Sequence, residues 1–414
     1  MGEKTKINKK TWTLLVACWV AMAIWQVVVF SFGMMLPDVM AEFSLDYGTA
    51  GLIGSVSGFV SVLLTIPTAF VATKFNPKYS VPGIMIILSV SLLIFGVAAN
   101  VPMLFIGKII GAAVSNGLAS SLVIVKMRRV PAARFTGING IENFVQPIGQ
   151  VLATLCMAQL LMIVGGWRNV YIICAVLIIV MVVVWLVTYK DDESTEKTAV
   201  ASTAAPRQKG VMREALKQKT FWLLSLAWPG TTLIWIGMFY YWPSFITESA
   251  GISMAQAGFV LSFIPIFSAI ASLTAPKIAD KLGRDKLLIW PWGIILPIAY
   301  FCMLQTTSIP LLCICAAVAG YGAYCFVPIA FTTLYKLGLR SEVVSVGTGM
   351  VLTGVALGSA LGSGIVGGLI SSIGIYKALA ICCLSPVWFG ILTLFVPERG
   401  RKALEAEAAA AAKK

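Results

Sequence analysis

The chain is written as long apolar runs separated by short polar breaks. Twelve runs can be placed, near 12–36, 48–72, 81–99, 102–123, 136–163, 168–189, 220–242, 254–275, 287–305, 310–334, 343–370 and 375–396. A helix of about 20 residues crosses the roughly 30 Å hydrocarbon core of a bilayer. The runs are continuous rather than alternating with period two, so they predict helices and not barrel strands. The first run is too long for the apolar core of a signal peptide and lacks a small-residue cleavage site, which predicts an uncleaved first helix. The polar stretch between runs six and seven predicts a linker. The expected fold is an all-α membrane protein, with twelve transmembrane helices in two pseudo-symmetric six-helix bundles. The bundles are 1–189 and 220–396, the linker is 190–219 and the tail is 397–414.

Composition agrees with this pattern. The chain is 59% hydrophobic and only 12% charged, with mean hydropathy +0.91, whereas soluble domains carry about 25% charged residues. Charge then orients the helices. Twenty-eight of the 31 Lys and Arg fall in the N-terminal tail, the even-numbered interhelical loops, the linker and the C-terminal tail; the exceptions are Lys108, Arg168 and Lys377. By the positive-inside rule both termini are expected in the cytoplasm of a multi-pass cytoplasmic-membrane protein. The opposite side is acidic, with Asp38, Glu42 and Asp46 in the first outer loop and Glu248 in the fourth. The net charge of +14 is therefore mostly topology, and no nucleic-acid partner is expected. There is no histidine, and the nine cysteines lie inside apolar runs with no metal-like spacing. No metal, other cofactor or disulfide framework is implied. No nucleophile–base pair or phosphate loop is visible, so an enzyme is not expected.

The chain repeats itself at half its length. Thr11, Leu14, Leu15 and Trp19 recur as Thr220, Leu223, Leu224 and Trp228; Arg134 recurs as Arg340, and Gly166 as Gly374, all at offsets of 206–209. A charged loop, Asp280–Lys286 (DKLGRDK), has a degraded copy in Thr73–Lys78 (TKFNPK), 207 residues earlier. Six helices per half is an even number, so the halves share one orientation, a parallel repeat.

Two six-helix halves, a cytoplasmic linker and a charged Gly-Arg loop after the second helix of each half resemble the major facilitator superfamily. Its loop signature is G-x-x-x-D-(R/K)-x-G-x-(R/K)-(R/K). The second copy keeps Asp280, Lys281, Gly283 and Lys286 and departs at Pro276 and Asp285; the first keeps Lys74 and Lys78 but has Thr73 and Asn76 for the Asp and Gly. The resemblance implies transport by alternating access around a midplane cavity, with these loops as cytoplasmic gates. Asp280, Lys281, Gly283 and Arg284 would form one gate, and Lys74 and Arg134 would serve the other. An anchor loop alone would explain the Lys and Arg but not Asp280.

Ionisable residues inside membrane helices are expensive and functional by default. Lys108 and Glu142 qualify. Lys108, in Gly107–Gly111 (GKIIG), is similar to the family's span-four arginine motif, and Ser115 and Asn116 share its helical face. This predicts an anion contact; the bland alternative is a lysine snorkelling to the headgroups. Glu142 belongs to a polar stripe with Asn139, Asn143, Gln146 and Gln150. It is the candidate proton carrier, or else a structural partner for the basic 4–5 loop, including Arg134. Arg168 opens the sixth helix and reads as a headgroup anchor or outer gate. In the family, helices one, seven and ten line the cavity, which makes Gln26, Trp235, Tyr321 and Tyr324 candidate substrate contacts beside Lys108, Asn116, Asn143 and Gln146. Trp242 and Tyr241, at the end of run seven, read as an interfacial aromatic belt. The glycines of run eleven suit either a sliding element or close packing.

The family's drug-antiporter motif in helix five survives only as Pro147, and the sugar-porter motif after helix six is absent. A lone cavity cation among neutral polar and aromatic groups fits organic-anion branches of the family, including monocarboxylate carriers. The expected partners are a small anionic solute, a proton or counter-anion, and the bilayer, with the protein acting as a monomer. The alternative is a multidrug or lipophilic-solute efflux antiporter.

Overall fold

A computed structural model describes residues 8–130, 132–189, 210–282, 284–335, 337 and 339–396. These form sixteen α-helices, and the chain divides into two compact units, Met1–Pro206 and Arg207–Lys414. Unit 1 contains α1 (Lys9–Phe30), α2 (Phe32–Phe43), α3 (Tyr47–Lys74), α4 (Pro77–Gly96), α5 (Val101–Arg129), α6 (Ala132–Leu155), α7 (Met157–Val164) and α8 (Trp167–Thr188). Unit 2 contains α9 (Val211–Lys217), α10 (Lys219–Ala250), α11 (Met254–Leu282), α12 (Trp292–Gln305), α13 (Ile309–Tyr335), α14 (Ser341–Ile373), α15 (Ile375–Cys382) and α16 (Ser385–Leu394). Eleven helical stretches among the described residues are long and apolar enough to cross a bilayer. A twelfth follows if Pro147–Leu155 and Met157–Val164, bent by 57°, make one span.

The helix starts obey local chemistry. Asn8, Asp46, Asn76 and Asn100 each accept a backbone N–H of the turn they open, which satisfies donors the helix itself leaves orphaned. Several helix ends are closed from a distance. The last carbonyl of α4, Gly96 O, accepts from Arg168 Nη1 at 3.0 Å, and Met303 O in the last turn of α12 accepts from Trp242 Nε1 at 3.1 Å. The last carbonyl of α16, Leu394 O, accepts from Lys286 Nζ. Pro229 inside α10 lacks the N–H that would bond Ser225 O, and two neighbouring carbonyls of this turn accept side-chain donors from α16. Trp388 Nε1 bonds Leu226 O at 2.8 Å, and Ser385 Oγ bonds Gly230 O at 2.7 Å.

The two units pair their helices alike. In unit 1, α3 and α4 pack on α5, α4 on α8, and α1 on α6 and α8; in unit 2, α11 and α12 pack on α13, α12 on α16, and α10 on α14 and α16. Counted as spans, the same five pairings recur. The repeat at about 207 residues is thus a repeat of packing as well as of letters.

Two local expectations change and two gain detail. The first run breaks at Ser31, so Asp38 and Glu42 stand on α2 rather than in a loop. The linker is not wholly irregular: α9 lies within 190–219, packs on α14, and its Glu214 pairs with Arg340. Trp242 and Tyr241 are no interfacial belt. α10 continues eight residues past Trp242, both rings are fully buried, and the Tyr241 hydroxyl donates to Ser363 O at 2.7 Å. Gly347, Gly354, Gly358 and Gly362 of α14 stand against α10, whereas Gly349 and Gly368 face open space.

Capping Met303 O by an indole N–H gives a direct prediction. Trp242→Phe keeps most of the apolar volume but leaves that carbonyl unpaired, at a cost of about 1–3 kcal/mol. Thermal unfolding in detergent should register the loss, and an unchanged midpoint would contradict it.

Candidate functional site: a caged lysine and an aromatic ledge

Lys108 lies on the third turn of α5 and is buried. Its Nζ stands over three rings from three other helices: Phe32 of α2 at 4.5 Å, Phe95 of α4 at 5.0 Å and Tyr171 of α8 at 5.9 Å from the centroids. The faces of aromatic rings attract a cation, by about 0.5–2 kcal/mol each. No carboxylate of a described residue lies within ion-pair distance of this ammonium. The flanking sequence explains the geometry. A Cβ at Gly111 would stand 2.7 Å from the Trp25 ring, so glycine one turn after Lys108 admits α1 to the helix. The side chain therefore turns into unit 1 instead of snorkelling.

Above the cage is a clasp that the chain's letters did not announce. Glu42 Oε1 accepts from Arg168 Nη2 at 2.6 Å and Nε at 3.0 Å, and Glu42 Oε2 accepts from Trp167 Nε1 at 2.9 Å. The Arg168 hydrogen bond holds the Glu42 carboxyl below the usual range, and the Trp167 bond adds to this. A depressed carboxyl contributes its stabilisation above the unfolded pKa and loses it as pH falls through the folded one, so the clasp stays ionised at neutral pH. Arg168 thus ties α8 to α2 and α4 within one unit, a role that neither an anchor nor a gate describes. The signal available in advance was the Trp167-Arg168 pair opening a helix and an acid in the facing segment.

Glu142 has an ion-pair partner, Lys126, near the end of α5. Lys126 is buried and Glu142 half-buried, while Arg134 is exposed. Ser115, expected to share a polar face with Lys108, bonds back to Ala112 O at 3.1 Å. Gln26 is half-buried where α1 meets α6, facing Gly149. Lys281 and Arg284 are exposed. The side chains of Lys74, Asn116, Asn139, Asn143, Gln146 and Asp280, and all of Gly283, lie outside the described residues.

In unit 2 the predicted aromatics form a ledge. Trp235 is buried and meets Tyr324 at 5.5 Å between centroids, and Tyr324 is half-buried. One turn earlier on α13, the Tyr321 hydroxyl lies 3.0 Å from Thr274 Oγ1, and its ring packs 5.9 Å from Trp292. Unit 1 thus holds a caged cation, and unit 2, by itself, holds tilted aromatic contacts beside a hydroxyl pair. Among the described residues no cluster of three or more His, Cys, Asp or Glu could hold a metal ion.

Two repeated helical units carrying an intramembrane cation define a multi-pass membrane protein of the solute-transporter class. Comparison with known proteins gives the family. The Major Facilitator Superfamily model matches residues 14–305 and 243–414, so the chain belongs to that superfamily. It is a transporter rather than an enzyme. Among relatives, "Uncharacterized transporter YycB" of Bacillus subtilis is 20% identical over 319 residues, 75% of this chain and 74% of that protein. The "Nitrite extrusion protein" of the same organism is 20% identical over 329 residues, 76% of this chain and 78% of that protein. Among solved structures, a bacterial homologue of the human lysosomal transporter Spinster, inward-facing and unoccupied, superposes with TM-score 0.75 at 17% identity, covering 94% of this chain and 95% of that one. The nucleoside transporter NupG (D323A mutant) gives TM-score 0.77 at 13% identity, covering 94% and 100%. These likenesses show the fold.

Proposed function

We propose that the protein is a secondary transporter of a small organic anion, carrying a carboxylate-bearing solute across the cytoplasmic membrane by alternating access, with both termini in the cytoplasm. The observation that carries this reading is Lys108. A buried ammonium with no carboxylate of a described residue within ion-pair distance is costly to hold, and three ring faces offset the cost only in part. Such a charge is kept where an anion completes it. The aromatic ledge of Trp235, Tyr321 and Tyr324 suits the apolar body of such a solute, and Gln26, Asn116, Asn143 and Gln146 suit its polar atoms. The name of one relative, the nitrite extrusion protein, contains an inorganic anion, which agrees with an anionic cargo. Since Lys126 engages Glu142, exchange of one anion for another fits better than a proton carried on this carboxylate. The loop residues Lys74, Arg134, Asp280, Lys281, Gly283 and Arg284 keep the gating role that the family pattern implies.

The test is uptake of labelled formate, acetate, lactate, oxalate and benzoate into proteoliposomes, with and without internal counter-anion. At least one should enter, faster when exchanged. Lys108→Ala should abolish that uptake, and Lys108→Arg should retain part of it. Full anion uptake by Lys108→Ala, or uptake of lipophilic cations instead, would overturn the reading.

A further inference from the structure

The Lys108 cage is not self-supporting. Two of its three rings, Phe95 and Tyr171, stack on each other at 4.4 Å, and both meet Trp167 edge-on, at 5.8 Å and 6.1 Å. Trp167 is buried, and its indole N–H is committed to Glu42. Arg168, next in sequence, lies 4.6 Å over the Trp167 ring and spends one N–H on Gly96 O, the residue after Phe95. Glu42 therefore bonds both residues, Trp167 and Arg168, that brace Phe95 and Tyr171 from this side. It also sits near the C-terminal end of α2, whose first residue, Phe32, is the third ring of the cage. Holding one end of a helix this short, about 15 Å away, fixes the other.

We propose that Glu42 is a positioning residue for Lys108: its carboxylate clamps Trp167 and Arg168, and through them and α2 it sets the three rings that receive the Lys108 ammonium. No other described carboxylate takes this place. The equivalent position in unit 2, 208 residues on from Arg168, is Tyr376, which accepts a neutral bond from Gln305 Nε2 at 2.5 Å. That unit has Ala316 where Lys108 stands, so it holds no cation to position. The ionic clasp occurs in the half that carries the buried lysine. The proposal rests on the transport reading only for its effect on uptake; the effect on the cage stands apart from it.

The experiment uses the full chain in proteoliposomes and two readouts. The first is pulse acetylation of lysines by acetic anhydride, read by mass spectrometry, with buried Lys126 as the internal control. Glu42→Gln keeps the shape of the side chain but loses the charge. It should make Lys108 react about tenfold faster through local opening while Lys126 reacts at the wild-type rate; Glu42→Asp should stay near wild type. The second readout is uptake of whichever carboxylate the wild type carries from the panel above. Glu42→Gln should raise KM about tenfold, a shift of ~1.4 kcal/mol, with kcat within about twofold. Unchanged Lys108 reactivity in Glu42→Gln overturns the proposal. So does a parallel rise at Lys126, because that reports general loosening. If Lys108 opens selectively but no carboxylate is carried by the wild type, positioning by Glu42 stands and the anion reading falls.

Discussion

Gly358→Ala will lower the thermal stability of the protein markedly, and Gly349→Ala on the same helix will not. At Gly358 a Cβ would stand 1.8 Å from Thr232 Oγ1 and 2.6 Å from Pro229 Cα. The hydroxyl can turn away, but the backbone of α10 at a proline cannot. Four residues earlier, a Cβ at Gly354 would stand 2.0 Å from Ser225 O, again backbone. α10 and α14 form one of the most extensive helix pairs of unit 2, and helices meet at such distances only where one side has no side chain. Overpacking a well-packed contact costs about 1–3 kcal/mol, and more when backbone must move. Gly349 has nothing within 4 Å of its Cβ position. Alanine there should be neutral or stabilising by about 0.5–1 kcal/mol, the usual gain over glycine inside a helix. Unfolding of detergent-solubilised protein, followed by tryptophan fluorescence, measures both. Equal midpoints for the two variants would refute the argument, because composition and helix are shared and only the neighbour differs.

The same helix shows what could and could not be read from letters. Long apolar runs, the one-sided Lys and Arg, and the repeat at about 207 residues were enough for the helical architecture, because a bilayer leaves few ways to satisfy a backbone. The glycines of run eleven were visible, but their partner was not. Packing against α10 depends on which face meets which, and that is a tertiary fact. Trp242 and Tyr241 failed as a belt for the same reason. An aromatic near the end of an apolar run belongs at the interface only if the helix ends there, and α10 continues to Ala250. Lys108 and Glu142 stood out because a charge in an apolar run is costly, whatever surrounds it. Their surroundings were hidden. The cage rings come from positions 32, 95 and 171, and the clasp joins 42 to 168, separations that no local pattern reports.

Glu142→Gln will damage folding more than transport chemistry alone would predict, and the double variant Lys126→Met/Glu142→Leu will restore it. Glu142 and Lys126 pair across α6 and α5, with 4% of the lysine side chain and 18% of the glutamate exposed. Breaking such a buried pair by removing one partner costs about 3–5 kcal/mol. Replacing both by apolar residues of similar volume is often neutral or stabilising. The expected order of stability in detergent is therefore wild type and double variant together, with Glu142→Gln and Lys126→Met well below. This order also separates structure from coupling. A folded double variant has no carboxylate at 142, so any proton carried there is gone. If exchange is the mode of transport, the double variant keeps counter-anion-driven uptake and is indifferent to an imposed pH gradient, as the wild type is. If wild-type uptake follows the pH gradient and the folded double variant has lost that response, Glu142 carries a proton and exchange is wrong. The pair thus decides the energy source, because the variant that removes its charges is the one expected to leave the fold standing.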